Sequence, residues 1–361
     1  MKRTTNRLTI LLSLIALLAI LFSLASCGKK GKYAEIPSSK EEATTVAVVG
    51  GHKVKYELVR AYFSAMYSGK TEGMTEEGWE EAKTAVMREI AVLYATLDVA
   101  SENGIDPYGD AIDDAVAECI RIEYEGGTSS DATISAGKTR AEYKEALAAA
   151  NLTDAVMRLV YRFDATQAAL YDYLVTNYGY GEDSGEVGDP RAFFDSDECA
   201  HGVWVYVSDD FRLGREAGRA YAAELRAALA DAADYDAVKK VILREDPMAL
   251  SADDIQYGFY VSKNQGNAPV QRALISDFFT LAPYTCGEIR EDADGVWFAV
   301  GLPKDAADYE RDPEAIFQLM YEEEKINRPI AEKAETYLSG VSYASAFPSF
   351  SAETLGKLTV E

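Results

Sequence analysis

Apolar residues recur at helical spacing through the first half of the chain, from residue 54 to residue 175. This period predicts a series of amphipathic helices without the strand alternation of an α/β domain. The strongest helix is predicted to follow Thr75, which fits an N-cap, and to end at Asn103-Gly104, which suits a left-handed C-terminal residue. The series opens with Val54, Leu58, Tyr62 and Met66.

The pattern changes in the second half of the chain. Alternating apolar residues predict strands at 200–207 and 295–302, and 255–261 fits either a strand or a turn. Helical patterns separate these segments, which gives the order β-α-α-(β)-α-β of a small α+β domain. A helical pattern then returns from Asp312, and the tail beyond residue 340 is predicted to be irregular.

A basic start and a long apolar run open the chain. Three basic residues stand among the first seven, and residues 8–25 are almost wholly apolar, as in a secretory signal. Ala25-Ser26-Cys27 then resembles a bacterial lipobox, which predicts cleavage before Cys27 and a lipid on its thiol. The run also approaches the roughly 20 residues of a spanning helix, so an uncleaved anchor is the alternative. Both interpretations place the remainder outside the cytoplasm.

These patterns predict a mostly α protein with an inserted α+β domain. The predicted parts are a lipoprotein signal peptide at 1–26, a flexible tether at 27–43, a helical domain at 44–176, a Gly-rich and acidic linker at 177–190, the α+β domain at 191–304, and a C-terminal helix with a tail at 305–361 that returns to the helical domain.

Composition narrows the classes of partner. The 361 residues are 48% hydrophobic and carry a formal net charge of −24. So acidic a chain argues against nucleic-acid binding, which needs a basic surface. The acidity fits either the capture of basic unfolded proteins or simple solubility.

The three cysteines beyond Cys27 show no metal-binding arrangement. Cys119, Cys199 and Cys286 form no CxxC pair and no cluster with histidine, so neither a metal nor a cofactor is predicted. Two states fit these spacings: three buried free thiols, or one bridge between Cys199 and Cys286.

Several segments, in their joint order, resemble extracytoplasmic foldases of the SurA/PrsA type. They include VAVVGGHKVKYELVRAYF (46–63), CAHGVWV (199–205) and ISDFFTLAPYTCGEI (275–289). The resemblance implies a SurA-like helical chaperone domain over 44–176. It also implies a parvulin-like, PpiC-type peptidyl-prolyl isomerase domain over 191–304.

The resemblance further implies a degenerate isomerase site. His201 falls at the first of two parvulin histidines and Asp246 at the acidic position, so both are candidate catalytic residues. Trp297 replaces the second histidine, where it forms either a binding wall beside His201 or part of the core. His201 is correspondingly either a catalytic remnant or a core histidine. The candidate substrate-binding residues are Trp297, Val270, Leu274, Phe259 and Phe279.

The function implied is that of a lipid-anchored chaperone on the outer face of the cell membrane. Its expected partners are unfolded or secreted polypeptides and X-Pro segments, with weak or lost isomerase activity. Two other classes remain open on the sequence: a ligand-binding solute receptor, which needs two α/β lobes, and a structural envelope lipoprotein without clients. The sequence leaves the oligomeric state undetermined.

Overall fold

The computed structural model describes residues 33–67, 71–125, 139–177, 188–209, 214–245, 258–266, 269–291 and 295–344. Contacts between residues divide this part of the chain into two units. The helical unit combines residues 33–173 with 329–344, and the α+β unit holds residues 174–328. The protein is helix-rich with small antiparallel sheets, which confirms the coarse fold prediction.

The helical unit begins with a hairpin and continues through five helices of the described chain. The hairpin strands are β1 (Thr45–Val49) and β2 (His52–Lys55), and the helices are α1 (Tyr56–Tyr67), α2 (Glu76–Glu102), α3 (Asp110–Glu125), α4 (Arg140–Ala149) and α5 (Asp154–Asn177).

Short-range signals set the helix ends. Thr75 caps α2, because its Oγ1 accepts a hydrogen bond from the Gly78 N–H at 3.2 Å. The chain leaves α2 through Gly104, whose φ of +82° lies in the left-handed region. Both predictions for α2 are confirmed. Thr139 and Glu142 form a capping box at the start of α4.

The prediction that the first helix opens at Val54 is wrong. Val54 is fully buried in β2, where it pairs with Ala47, and α1 starts at Tyr56. The turn residues Gly50 and Gly51 both have positive φ, which a tight two-residue hairpin turn requires. The turn therefore folds Val54 back onto β1 before the helix begins.

The α+β unit follows the predicted order of elements. Its elements are α6 (Pro190–Asp195), β3 (Cys199–Ser208), α7 (Arg215–Leu229), α8 (Tyr235–Glu245), β4 (Phe259–Ser262), α9 (Pro269–Thr280), β5 (Arg290–Glu291), β6 (Gly295–Leu302), α10 (Ala306–Arg311), α11 (Pro313–Glu322) and a π-helical turn at Glu323–Asn327. The segment that fitted either a strand or a turn provides β4. The strands form an antiparallel sheet in the order β4-β3-β6-β5.

Strand alternation gives this sheet two different faces. On the face covered by α7 and α8, the valines of β3 at 203, 205 and 207 pack with Val296, Phe298 and Val300 of β6. On the face covered by α9, Trp297 and Ala299 pack with helix residues that include Leu274 and Phe278. We call these the α7/α8 face and the α9 face.

The chain returns to the helical unit later than predicted. Helix α11 contacts α6 and β4, so it belongs to the α+β unit, and the return begins at Pro329 rather than at residue 305. Helix α12 (Arg328–Ser339) is followed by β7 (Ser342–Tyr343), which pairs with β1 in a sheet of order β2-β1-β7. The prediction of an irregular tail beyond residue 340 is wrong at Ser342–Tyr343, which form β7. Residues 345–361 lie outside the described chain.

The predicted tether over 27–43 is fixed in its second part. Residues 27–32 lie outside the described chain, but the backbone from Tyr33 to Ile36 is hydrogen-bonded to side chains of α4 and α5. The polar, Gly- and Ser-containing composition indicates flexibility only when no tertiary partner is near. Here arginine and aspartate side chains hold the backbone.

The three described cysteines are free thiols, and only Cys199 is buried, while Cys119 and Cys286 are partly exposed. Burial raises the pKa of Cys119 and of Cys286 to about 11, so neither is a thiolate at neutral pH.

In the described part of the chain no helix is long and apolar enough to cross a bilayer. The predicted signal and Cys27 lie outside that part.

A pH dependence of stability is expected from Glu322 on α11. Burial raises the pKa of this carboxyl from an ordinary 4.5 to about 7, although the Gln318 amide donates to it at 2.8 Å. Between these values the unfolded chain loses a proton that the folded chain keeps. The free energy of unfolding should therefore fall by roughly 2–3 kcal/mol as the pH rises from 4.5 to 7.

Urea unfolding of wild type and Glu322→Gln across this pH range measures the effect. The Gln variant should lose the fall, whereas Glu314→Gln, at an exposed position of the same helix, should keep it. An unchanged slope in Glu322→Gln would assign the pH dependence to other groups.

Candidate functional site

His201 is locked into the α+β unit as a core residue. It lies on β3 with 5% of its surface exposed, and its Nδ1–H donates to the Pro303 carbonyl at 2.6 Å. Its ring stacks on Tyr260 of β4, with 4.1 Å between ring centroids and 6° between planes. These contacts fix both the position and the orientation of the imidazole.

The surroundings of His201 leave little room at the other ring nitrogen. Gly258 has a φ of +66°, and a Cβ added there would stand 2.7 Å from Nε2 of His201. Glycine is therefore required by conformation and by this close approach of backbone to imidazole. The geometry favours the interpretation of His201 as a hydrogen-bonded core histidine.

Tyr260 completes a polar cluster that sequence reasoning missed. Its hydroxyl donates to Asp308 Oδ2 at 2.7 Å and accepts from the Asp305 N–H at 3.3 Å. Burial, with the hydrogen bond to Asp308, raises the pKa of Tyr260 well above its ordinary value, so the phenol stays neutral. No sequence motif predicts this cluster, because Tyr260 and Asp308 are 48 residues apart in the chain.

Trp297 lies in an aromatic and aliphatic cluster on the α9 face. It is 1% exposed, and its cluster includes two other predicted binding residues, Leu274 and Phe279. The Arg290 guanidinium lies 5.7 Å from the ring centroid and forms a paired hydrogen bond with Asp277 at 2.7 and 3.1 Å. Among the described residues, the indole Nε1 has no hydrogen-bond partner.

The structure does not bring His201 and Trp297 together. His201 pairs with Leu302 in the ladder between β3 and β6, whereas Trp297 pairs with Tyr206. Positions that are five residues apart along a strand, such as 201 and 206, are separated by about 17 Å. Because side chains alternate between the two faces of a sheet, an odd number of residues also places the two side chains on opposite faces. His201 shares the parity of the β3 valines on the α7/α8 face, while Trp297 lies on the α9 face. Trp297 is therefore not a binding wall beside His201.

The other predicted site residues are dispersed. Phe259 packs on the α7/α8 face, away from the Trp297 cluster. Val270 belongs to α9, but its side chain is outside the described part, as are Asp246 and Cys27.

A second aromatic pair was missed, although the sequence contains a signal for it. Trp204 and Tyr206 lie partly exposed beside Trp297, with 6.5 Å between the two indole centroids. The order Val203-Trp204-Val205-Tyr206-Val207 alternates aliphatic and aromatic residues, which indicates a strand with one aromatic face.

Comparisons with known proteins add a distant structural likeness. No family model and no curated protein matches the sequence. Among solved structures, foldase protein PrsA from Streptococcus pneumoniae aligns over 85% of this chain and 92% of its own, with 11% sequence identity and a TM-score of 0.26. At that TM-score the likeness carries no argument about function.

Proposed function

We propose that the chain is a membrane-anchored extracytoplasmic chaperone for secreted proteins, with weak or lost peptidyl-prolyl isomerase activity. The proposal of weak or lost isomerase activity rests on the separation of His201 from Trp297. Rotation of a prolyl bond faces a barrier of about 20 kcal/mol, and polar groups lower it only when they surround one amide. Two buried residues on opposite faces of a sheet cannot do so.

The chaperone part rests on the resemblance to SurA/PrsA-type foldases and on the surface of the helical unit. In the described chain, the exposed large hydrophobic residues are Tyr108, Tyr173 and Tyr343, and all three belong to this unit. Tyrosine offers apolar area together with a polar tip, which suits weak and broad contacts with unfolded chains. A solute receptor is disfavoured, because the described helical unit lacks alternating strands and helices.

The proposed anchor is a lipid on Cys27, which would keep the protein on the outer face of the membrane. Because the backbone is held from Tyr33 onward, five residues, 28–32, separate the lipidated Cys27 from the helical unit. An extended chain of that length spans at most about 20 Å. The proposed chaperone would therefore work close to the membrane surface.

The test combines two assays on a soluble form that begins at Gly28. We expect suppression of the aggregation of reduced lysozyme, without acceleration of cis/trans isomerisation of an X-Pro peptide. His201→Ala should leave the isomerisation rate at the uncatalysed value. Catalysis that is lost in His201→Ala would contradict the lost-isomerase proposal, and failure to suppress any aggregation would favour a structural envelope protein.

A further inference from the structure

Residues Tyr33 to Ser38, which we call the N-terminal strap, are bound along the helical unit through their backbone. Arg140 donates from its two Nη atoms to the carbonyls of Ala34 and Glu35 at 2.8 and 2.9 Å. Arg158 Nη2 donates to the Tyr33 carbonyl at 2.6 Å. Together these bonds satisfy three successive carbonyls of the strap.

A fourth backbone bond, two apolar side chains and the Ser38 hydroxyl, which donates to the Glu57 carboxylate, complete the attachment. The Ile36 N–H donates to Asp154 Oδ2 at 2.8 Å. The side chains of Tyr33 and Ile36 pack on an apolar cluster of α3, α4 and α5, and the Tyr33 ring meets Tyr124 edge-on at 5.5 Å. The cluster's buried members are Ile112, Val116, Ile120, Tyr124, Tyr143, Leu147 and Met157.

The other strap side chains take no part in this packing. Ala34, Glu35 and Pro37 are exposed. Recognition of the backbone plus two spaced side chains is the way in which grooves bind extended peptides of varied sequence. The strap therefore occupies a surface with the properties of a peptide-binding groove.

The groups that hold the strap are also held by one another. Asp154 accepts from Arg158 Nε at 2.9 Å and from the Tyr143 hydroxyl at 3.2 Å, and neither bond involves the strap. The Tyr124 hydroxyl is buried in the same cluster without a hydrogen-bond partner among the described residues. A site preorganised in this way binds a ligand at a smaller entropic cost.

We propose that the strap covers a client-binding groove of the helical unit. When the strap is displaced, the groove binds an extended polypeptide segment with an aromatic residue followed three positions later by an aliphatic one. The proposal rests on the chaperone function above and names its client class. The strap competes at a high effective concentration because it is part of the same chain, so it restricts clients to those presented at high local density.

The probe is a fluorescein-labelled peptide of residues 31–39, GKYAEIPSS. Its binding is measured by fluorescence anisotropy to the soluble form that begins at Gly28. The double variant Tyr33→Ser, Ile36→Ser weakens the strap and should bind the peptide at least tenfold more tightly than wild type. Adding Arg140→Gln to that variant should reduce binding about fivefold. The matched control is Ala34→Ser with Glu35→Gln, at exposed strap positions, which should behave as wild type.

A peptide with serine in place of its Tyr and Ile should not bind any of these chains. Absence of binding to the double variant, with its helical circular dichroism intact, would overturn the proposal. If the double variant unfolds, hydrogen exchange on wild type decides. Excess peptide should accelerate exchange of the Ile36 amide, and unchanged exchange at 1 mM peptide would reject the groove.

The two proposals can fail separately. Aggregation suppression by wild type, without peptide binding to the weakened chain, would reject the groove and leave the chaperone function standing. Peptide binding without any suppression of aggregation would support the groove and contradict the chaperone function.

Discussion

Trp297→Ala should lower the free energy of unfolding of the α+β unit by about 3–5 kcal/mol. The indole is 1% exposed and packs between β3 and α9 with Leu274 and Phe278, so its removal leaves a large cavity. Among the described residues the indole Nε1 has no hydrogen-bond partner, so the substitution breaks no hydrogen bond to any of them. Loss of packing is then the dominant cost.

Urea unfolding followed by circular dichroism measures the loss, and Trp204→Ala is the matched control. Trp204 is a partly exposed tryptophan of the same cluster, so its replacement should cost about 1–2 kcal/mol. A cost for Trp297→Ala below that of the control would show that Trp297 is not a core residue.

The double variant His201→Ala, Trp297→Ala tests the separation of the two residues. Residues more than 7–10 Å apart without shared partners usually have additive effects, so we expect a coupling energy below about 0.5 kcal/mol. His201 contacts Tyr260 and Pro303, whereas Trp297 packs on the α9 face. A coupling above about 1 kcal/mol would place them in one cooperative site.

Much of the fold could be predicted because its signals are local. Thr75 and Gly104 bound α2 through caps that act within one turn, and the alternation at 295–302 coincides with β6. Strand register is different, since it depends on residues far apart in the chain. The resemblance aligned His201 and Trp297 with two histidines, but the pairing of His201 with Leu302 separates them.

The position of the strap could not be predicted either, because it also depends on residues far apart in the chain. Residues 27–43 have the composition of a linker, which by itself predicts little intrinsic structure. The arginines that hold the strap, Arg140 and Arg158, lie 106 and 125 residues from their strap partners. Only the packing of α4 and α5 brings these side chains together on the strap.

Asp154→Ala should destabilise the helical unit by about 3–5 kcal/mol and release the strap. The carboxylate is buried and pairs with Arg158, so its removal leaves a cation in a partly buried place without its partner. It also deprives the buried Tyr143 hydroxyl and the Ile36 N–H of their acceptor. The Arg158 guanidinium and the Tyr143 hydroxyl are too buried for water to replace the lost carboxylate fully, and the Ile36 N–H loses a bond that holds the strap.

Urea unfolding gives the cost, and hydrogen exchange of the Ile36 amide reports on the strap. Asp154→Asn keeps one acceptor oxygen and should cost about half as much, whereas Asp113→Ala breaks an exposed pair with Arg162 and should cost less than about 1 kcal/mol. Asp154→Ala should abolish protection of the Ile36 amide while Asp113→Ala preserves it. Undiminished protection in Asp154→Ala would mean that the arginine bonds to the strap carbonyls are sufficient to hold it, because the Ile36 bond to Asp154 is then dispensable.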